Sequence, residues 1–128
     1  NMTTRHILNP RRIRRIRGSF GFIQHRFLRG GFLSSLEKNE IVLYLFWVLA
    51  ADRYGLSYYG DNRICKMLCF SADELREART GLIQKDLICW AAPWVQVLDL
   101  PVEPVAIELA SSSPHSFKTL HRMLKPQA

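Results

Sequence analysis

LEKNEIVLYLFWVLAADRYGLSYYGDNRICKMLCFSADELREARTGLIQKDLI, residues 36–88, decides how this chain folds. Its first part holds an uncharged apolar run of eleven residues, 41–51. A membrane span needs about 20 such residues, so the run reads as a buried helix. That first helix is expected to start near residues 34–37 and to run to about Arg53, with Gly55 as its stop. Two capping boxes fit its start, Ser34 with Glu37 and Glu37 with Glu40, and the sequence does not choose between them. Because it is apolar all the way round, it must be covered on several sides. The N-terminal aromatics, the C-terminal tail or a second subunit would supply that cover.

Leu56-Ser57-Tyr58 is a short strand candidate closed by Gly60. A second helix follows over residues 61–68, with Ile64, Met67 and Leu68 on one face, and Cys69-Phe70 breaks it. Ser71 and Glu74 form a capping box that opens a third helix, about residues 72–86. Its apolar positions Leu75, Ala78, Leu82 and Ile83 keep helical spacing. Beyond the quoted stretch lie two β-rich runs, 87–90 and 94–98, separated by Ala91-Ala92-Pro93, which predicts a hairpin.

This order of elements resembles a winged helix-turn-helix domain. The quoted residues are similar to the winged-helix domains of bacterial replication-initiator, primosomal and transcription-regulator proteins. The matching positions are Ala51-Asp52, Gly55, Ser57, Tyr59, Ile64, Leu68, Ser71, Leu82 and Leu87-Ile88. The resemblance covers about residues 36–98, half of the chain. It implies a mainly α fold with a small β-hairpin (α+β), and a third helix that enters the major groove while the hairpin touches the backbone. On that reading Arg76, Arg79 and Thr80 would contact bases or phosphates, while Asp73, Glu74 and Glu77 would repel them.

Toward the N-terminus the chemistry changes. Residues 19–27 alternate imperfectly (Phe20, Phe22, then Ile23), as a short strand or an extended lead-in would. Gly30-Gly31 breaks the chain before Phe32, Leu33 and Leu36, which are expected to pad the core. The chain therefore divides into a basic flexible arm (1–18), a winged-helix domain with its lead-in (19–100), and a C-terminal part (101–128). In the last, Pro101, Pro104, residues 111–113 and Pro114 mark a linker. Phe117, Leu120 and Leu124 then fit one short helix.

The 128 residues carry 18 Lys plus Arg against 11 Asp plus Glu, a net charge of +7. Residues 1–36 hold eight arginines and no acid; residues 37–100 hold seven basic and nine acidic residues, a net of −2. So the positive charge belongs to the arm, and the domain alone is a poor electrostatic match to DNA. The arm candidates for phosphate contact are Arg5, Arg11, Arg12, Arg14, Arg15 and Arg17.

With 48% hydrophobic residues the body can bury a core, which excludes wholesale disorder. Three cysteines, an odd number, fit structural thiols in a reducing compartment better than a disulfide framework. Cys65 and Cys69 stand four apart with no third and fourth ligand near, so no metal site is expected. No catalytic constellation, cofactor motif or phosphate-binding loop can be assembled. Asn1 before Met2 reads as an expression-tag remnant, and no secretory signal is recognisable, which predicts a cytoplasmic protein.

Two functions follow as expectations. The first is a non-enzymatic protein that binds double-stranded DNA mainly through its arm, as a homodimer, in transcription regulation or in replication or mobile-element work. The alternative is a protein–protein interaction or oligomerisation module that uses the acidic third helix.

Overall fold

The computed structural model of the chain describes residues 5–106. The apolar run forms helix α2, Lys38–Ala50. Its start resolves the ambiguity at the cap. The Glu37 backbone N–H donates to Glu40 Oε1 at 2.9 Å, whereas Ser34 lies in a short 3-10 turn, Leu33–Ser35. The helix ends three residues earlier than expected, because the Asp52 side chain organises a turn of its own. Asp52 Oδ1 accepts from the backbone N–H of Tyr54 and Leu56, at 2.8 and 3.0 Å, and draws the chain out of helical geometry. Gly55 then turns the chain at φ +85, with the Val97 carbonyl occupying the place a Cβ would need.

Strand β1, Leu56–Tyr58, leads to α3, Asp61–Leu68. Cys69, in the left-handed region at φ 58, ends α3 and is followed by a break of only two more residues. Ser71 then caps α4, Ala72–Gln84, accepting from the Glu74 N–H at 3.0 Å. The expected end at Asp86 is corrected: Asp86 has φ 63 and belongs to the turn into β2. Strands β2, Ile88–Ala91, and β3, Trp94–Val97, enclose the two-residue turn Ala92-Pro93. The hairpin gains a third member, because β1 pairs antiparallel with β3, Ser57 opposite Val95, in the order β1-β3-β2. The fold of the described residues is thus α+β, with four α-helices and one small antiparallel sheet.

Residues 19–24 form no strand; they are a lead-in to a four-residue helix, α1, Arg26–Arg29. Arg26 ties this segment to the far end of the domain, donating to the carbonyls of Leu100 and Pro101 at 2.9 and 2.7 Å. Phe27 stacks on Tyr44 at 4.8 Å between ring centroids, and Phe32 and Leu36 are buried in the core, with Leu33 packed against it, as expected. That core is built on Leu43 and Trp47 of α2, Ile64 of α3, Leu75, Ala78 and Leu82 of α4, and Ile88 and Val95 of the sheet. Of the expected C-terminal part, residues 101–106, with Pro101 and Pro104, form no helix or strand, and the rest of the linker and the short helix, residues 107–128, lie outside the described residues.

Glu40 and Lys85 form an ion pair inside this core. Lys85 Nζ donates to Glu40 Oε1 at 2.6 Å and to the Ser35 carbonyl at 2.9 Å. The Glu40 carboxylate rests against Gly81, where a Cβ would collide with it. Gly81 is therefore required by close approach, although it sits in mid-helix where glycine costs about 1 kcal/mol.

Candidate nucleic-acid interface

The outward face of α4 is acidic. Ala72, Asp73, Glu74, Arg76 and Glu77 are exposed and Thr80 is half-buried. Arg76 pairs with Asp73 one turn earlier, so its charge is largely answered on its own helix. Glu74 is committed to the cap, its Oε1 accepting from the Ser71 N–H at 2.8 Å. Three carboxylates and one paired guanidinium cannot attract a phosphate backbone.

Arg79 is not on this face. Only 6% of it is exposed, and its guanidinium makes a two-pronged contact with Asp61, at 3.0 and 3.3 Å, at the start of α3. The same guanidinium lies 4.2 Å from the centre of the Trp90 ring. Its expected role as an outward DNA contact is therefore corrected: it clamps α4 to α3 and to the hairpin. Around it a cleft of about 200 Å³ is lined by Trp47, Tyr59, Asp61, Trp90 and Pro93, among others. Position 79 follows Leu75 by four and precedes Leu82 by three, so the helical spacing already placed it on the core stripe.

The Arg79 hydrogen bond, against some opposing desolvation, holds the Asp61 carboxyl below its ordinary range. A depressed carboxylate contributes stability that is present above the unfolded value, about 3.9, and lost as the pH falls through the folded one. Asp61→Asn is therefore expected to lower stability at pH 7 and to lose that deficit relative to the unaltered protein in strong acid. Urea unfolding from pH 7 to pH 2.5 checks it; a deficit that persists unchanged in acid would show that the charge is not what matters. With 61% of the Asp61 side chain exposed, solvent screening keeps the effect small.

The hairpin tip, Ala91-Ala92-Pro93, is exposed and uncharged. Trp94 is half exposed and packs against Tyr58 on the outer sheet face, 5.6 Å between centroids. Basic side chains not singled out by the sequence also lie on the body's surface: Arg63 and Lys66, one turn apart on α3, and Arg53 in the turn before β1. Arg63 lies over the Tyr59 ring and Arg53 over that of Tyr54. Their signal was position, since a second helix in this order leaves one polar face free.

The arm is different in kind. Arg5, Arg11, Arg12, Arg14, Arg15 and Arg17 are all exposed, and none forms an ion pair among the described residues. Among its described residues the regular structure is a single 3-10 turn, Pro10–Arg12, capped by Asn9. Ile13 and Ile16 are exposed rather than packed on the domain. Of the other two N-terminal arginines, Arg26 is taken up by the fold, also lying 5.5 Å over the Phe32 ring, and Arg29 is exposed.

Among the described residues no three His, Cys, Asp or Glu side chains gather as a metal site would require, and the three cysteines are free thiols. No described helix is long and apolar enough to cross a membrane. No protein-family model, curated protein or solved structure matches the chain.

Proposed function

We propose that this is a cytoplasmic, non-enzymatic protein of winged-helix build that binds double-stranded DNA, as a homodimer, chiefly through its arginine arm. In this reading α3 and α4 are the helix-turn-helix, the β2–β3 hairpin is the wing, and the work is transcription regulation or replication or mobile-element support. The observation that carries it is the contrast in commitment. Six arm arginines stand exposed and without ion pairs among the described residues, while Arg26, Arg76 and Arg79 of the body are engaged. Binding of this kind is electrostatic, dependent on salt and weakly specific for sequence. An arm can also enter the minor groove, where it reads width.

Fluorescence anisotropy with a labelled duplex tests it, at about 50 and 200 mM salt. Tight binding at the lower concentration and its steep loss at the higher are expected. Arg76→Ala and Thr80→Ala are expected to change affinity by less than about twofold, because phosphate contacts from the arm dominate. Absence of binding to any duplex at low salt would overturn the reading. A second reading, a protein-interaction module, is favoured by one observation: the acidic outer face of α4 suits a basic protein surface. Glu77→Lys separates the two, since it tightens DNA binding in the first and weakens a protein contact in the second.

A further inference from the structure

We propose that a second copy of this chain packs on the outer stripe of α2, antiparallel, with the two-fold axis passing at Leu45. The inference specifies the homodimer part of the reading above and does not depend on DNA binding.

Helix α2 is buried on the side that meets α4 and the sheet, where Leu43 and Trp47 are 0% and 1% exposed. Its other side is left open by the described residues: Val42 is 39% exposed, Leu45 49% and Leu49 65%. These three stand at i, i+3 and i+7, the spacing of a seam between two helices. Beside them runs the lead-in, held so close that a Cβ on Gly21 would lie 2.7 Å from the Val48 carbonyl oxygen. Phe20 and Phe22 on either side of that glycine are 63% and 74% exposed. Together the five side chains leave on the order of 500 Å² of apolar surface open. That is the upper end of what a monomer tolerates, and it approaches the ~800 Å² each partner contributes to a standard interface.

The ends of the stripe decide both the occupant and the direction. Lys38 stands seven residues before Leu45 and Asp52 seven after it, both exposed. An antiparallel pair centred on Leu45 brings Val42 close to Leu49 of the second copy, and Lys38 to the turn just past the helix end that carries Asp52 of the second copy, at both ends. A parallel pair would set lysine on lysine and aspartate on aspartate. Asp52 uses Oδ1 in its turn, and its Oδ2 takes no hydrogen bond among the described residues. The antiparallel arrangement also brings each lysine to the negative end of the opposing helix. A two-fold interface must be self-complementary, and the opposite charges at the two ends of this stripe are.

Light scattering on the full chain at about 50 µM should give twice the 14.8 kDa of one copy. Leu45→Glu should give one copy with an unchanged circular dichroism spectrum, because the core does not use this side chain. Lys38→Asp and Asp52→Lys should each weaken the dimer about threefold or more, and the double variant should restore it. Leu45→Cys, with Cys65, Cys69 and Cys89 changed to serine, should oxidise to a covalent dimer, since a residue on the axis meets its own copy. Met67→Cys in the same background should not. A dimer that ignores Leu45→Glu, or that fails to cross-link at position 45, keeps the homodimer and removes this surface. A full chain that is monomeric at this concentration overturns both; if removing residues 107–128 then yields a dimer, the chain's own tail holds the stripe.

Discussion

Lys85→Met is expected to destabilise the fold by about 3–5 kcal/mol, a large part of the 5–15 kcal/mol that holds a domain of this size together. The substitution keeps the volume of the side chain and removes its charge. What remains is the Glu40 carboxylate, 3% exposed and resting on Gly81, with the Glu37 backbone N–H at 2.9 Å as its other donor. At that burial water reaches the carboxylate poorly, so the lost ammonium donor is not replaced. The Ser35 carbonyl loses its donor as well. The companion result separates the pair from its parts: Lys85→Met with Glu40→Gln should regain most of the loss, because removing both charges removes the desolvation cost along with the attraction. Urea unfolding of the three proteins measures this. A loss below about 1 kcal/mol for Lys85→Met would mean that Glu40 finds solvent in the folded protein.

Replacing Arg5, Arg11, Arg12, Arg14, Arg15 and Arg17 with serine is expected to lower duplex affinity at least about 100-fold at low salt and to flatten its salt dependence. Six phosphate contacts give a slope of log K against log salt of about −5, at roughly −0.9 for each. Without them the basic groups left on the surface include Arg29, Arg53, Arg63 and Lys66, and the slope should rise to about −2 or less steep. The folded body should be untouched, since none of the six arginines is buried. An anisotropy titration over salt reads both quantities. A slope that survives the substitutions would place the phosphate contacts on α3 and the turn at Arg53, and would end the arm-driven account.

Local signals in the sequence located most elements. Strand Leu56–Tyr58, helix Asp61–Leu68 and the Ser71 cap were readable because capping boxes, glycine stops and helical spacing act over a few residues. The pairing of β1 with β3 was not, since it joins residues some forty apart and depends on where Gly55 aims the chain. The harder miss was charge inside the core. Arg79, and Lys85 at the C-terminal cap, continue the stripe of Leu75, Ala78 and Leu82 on α4, and Glu40 lies on the stripe of Leu43, Tyr44 and Trp47 on α2. Spacing alone assigns all three inward, but their charge argues for the surface until a partner is known. Those partners, Asp61 for Arg79 and each other for Glu40 and Lys85, come from other helices. Whether the arm meets DNA was legible only as charge, and the structure adds that its arginines are unspent.

The seat of Gly21 on α2 gives the arm the geometry of a tether with a fixed anchor. From Gly18 back to Arg5 the chain, drawn out fully, reaches roughly 45 Å at up to ~3.5 Å per residue. That exceeds the ~34 Å of one turn of duplex. Once any arginine has touched a phosphate, the others search a small volume around the anchor, where their effective concentration is on the order of millimolar. On the proposed DNA-binding reading, release then requires many weak contacts to fail together, and the protein would shift along a duplex by exchanging one arginine at a time.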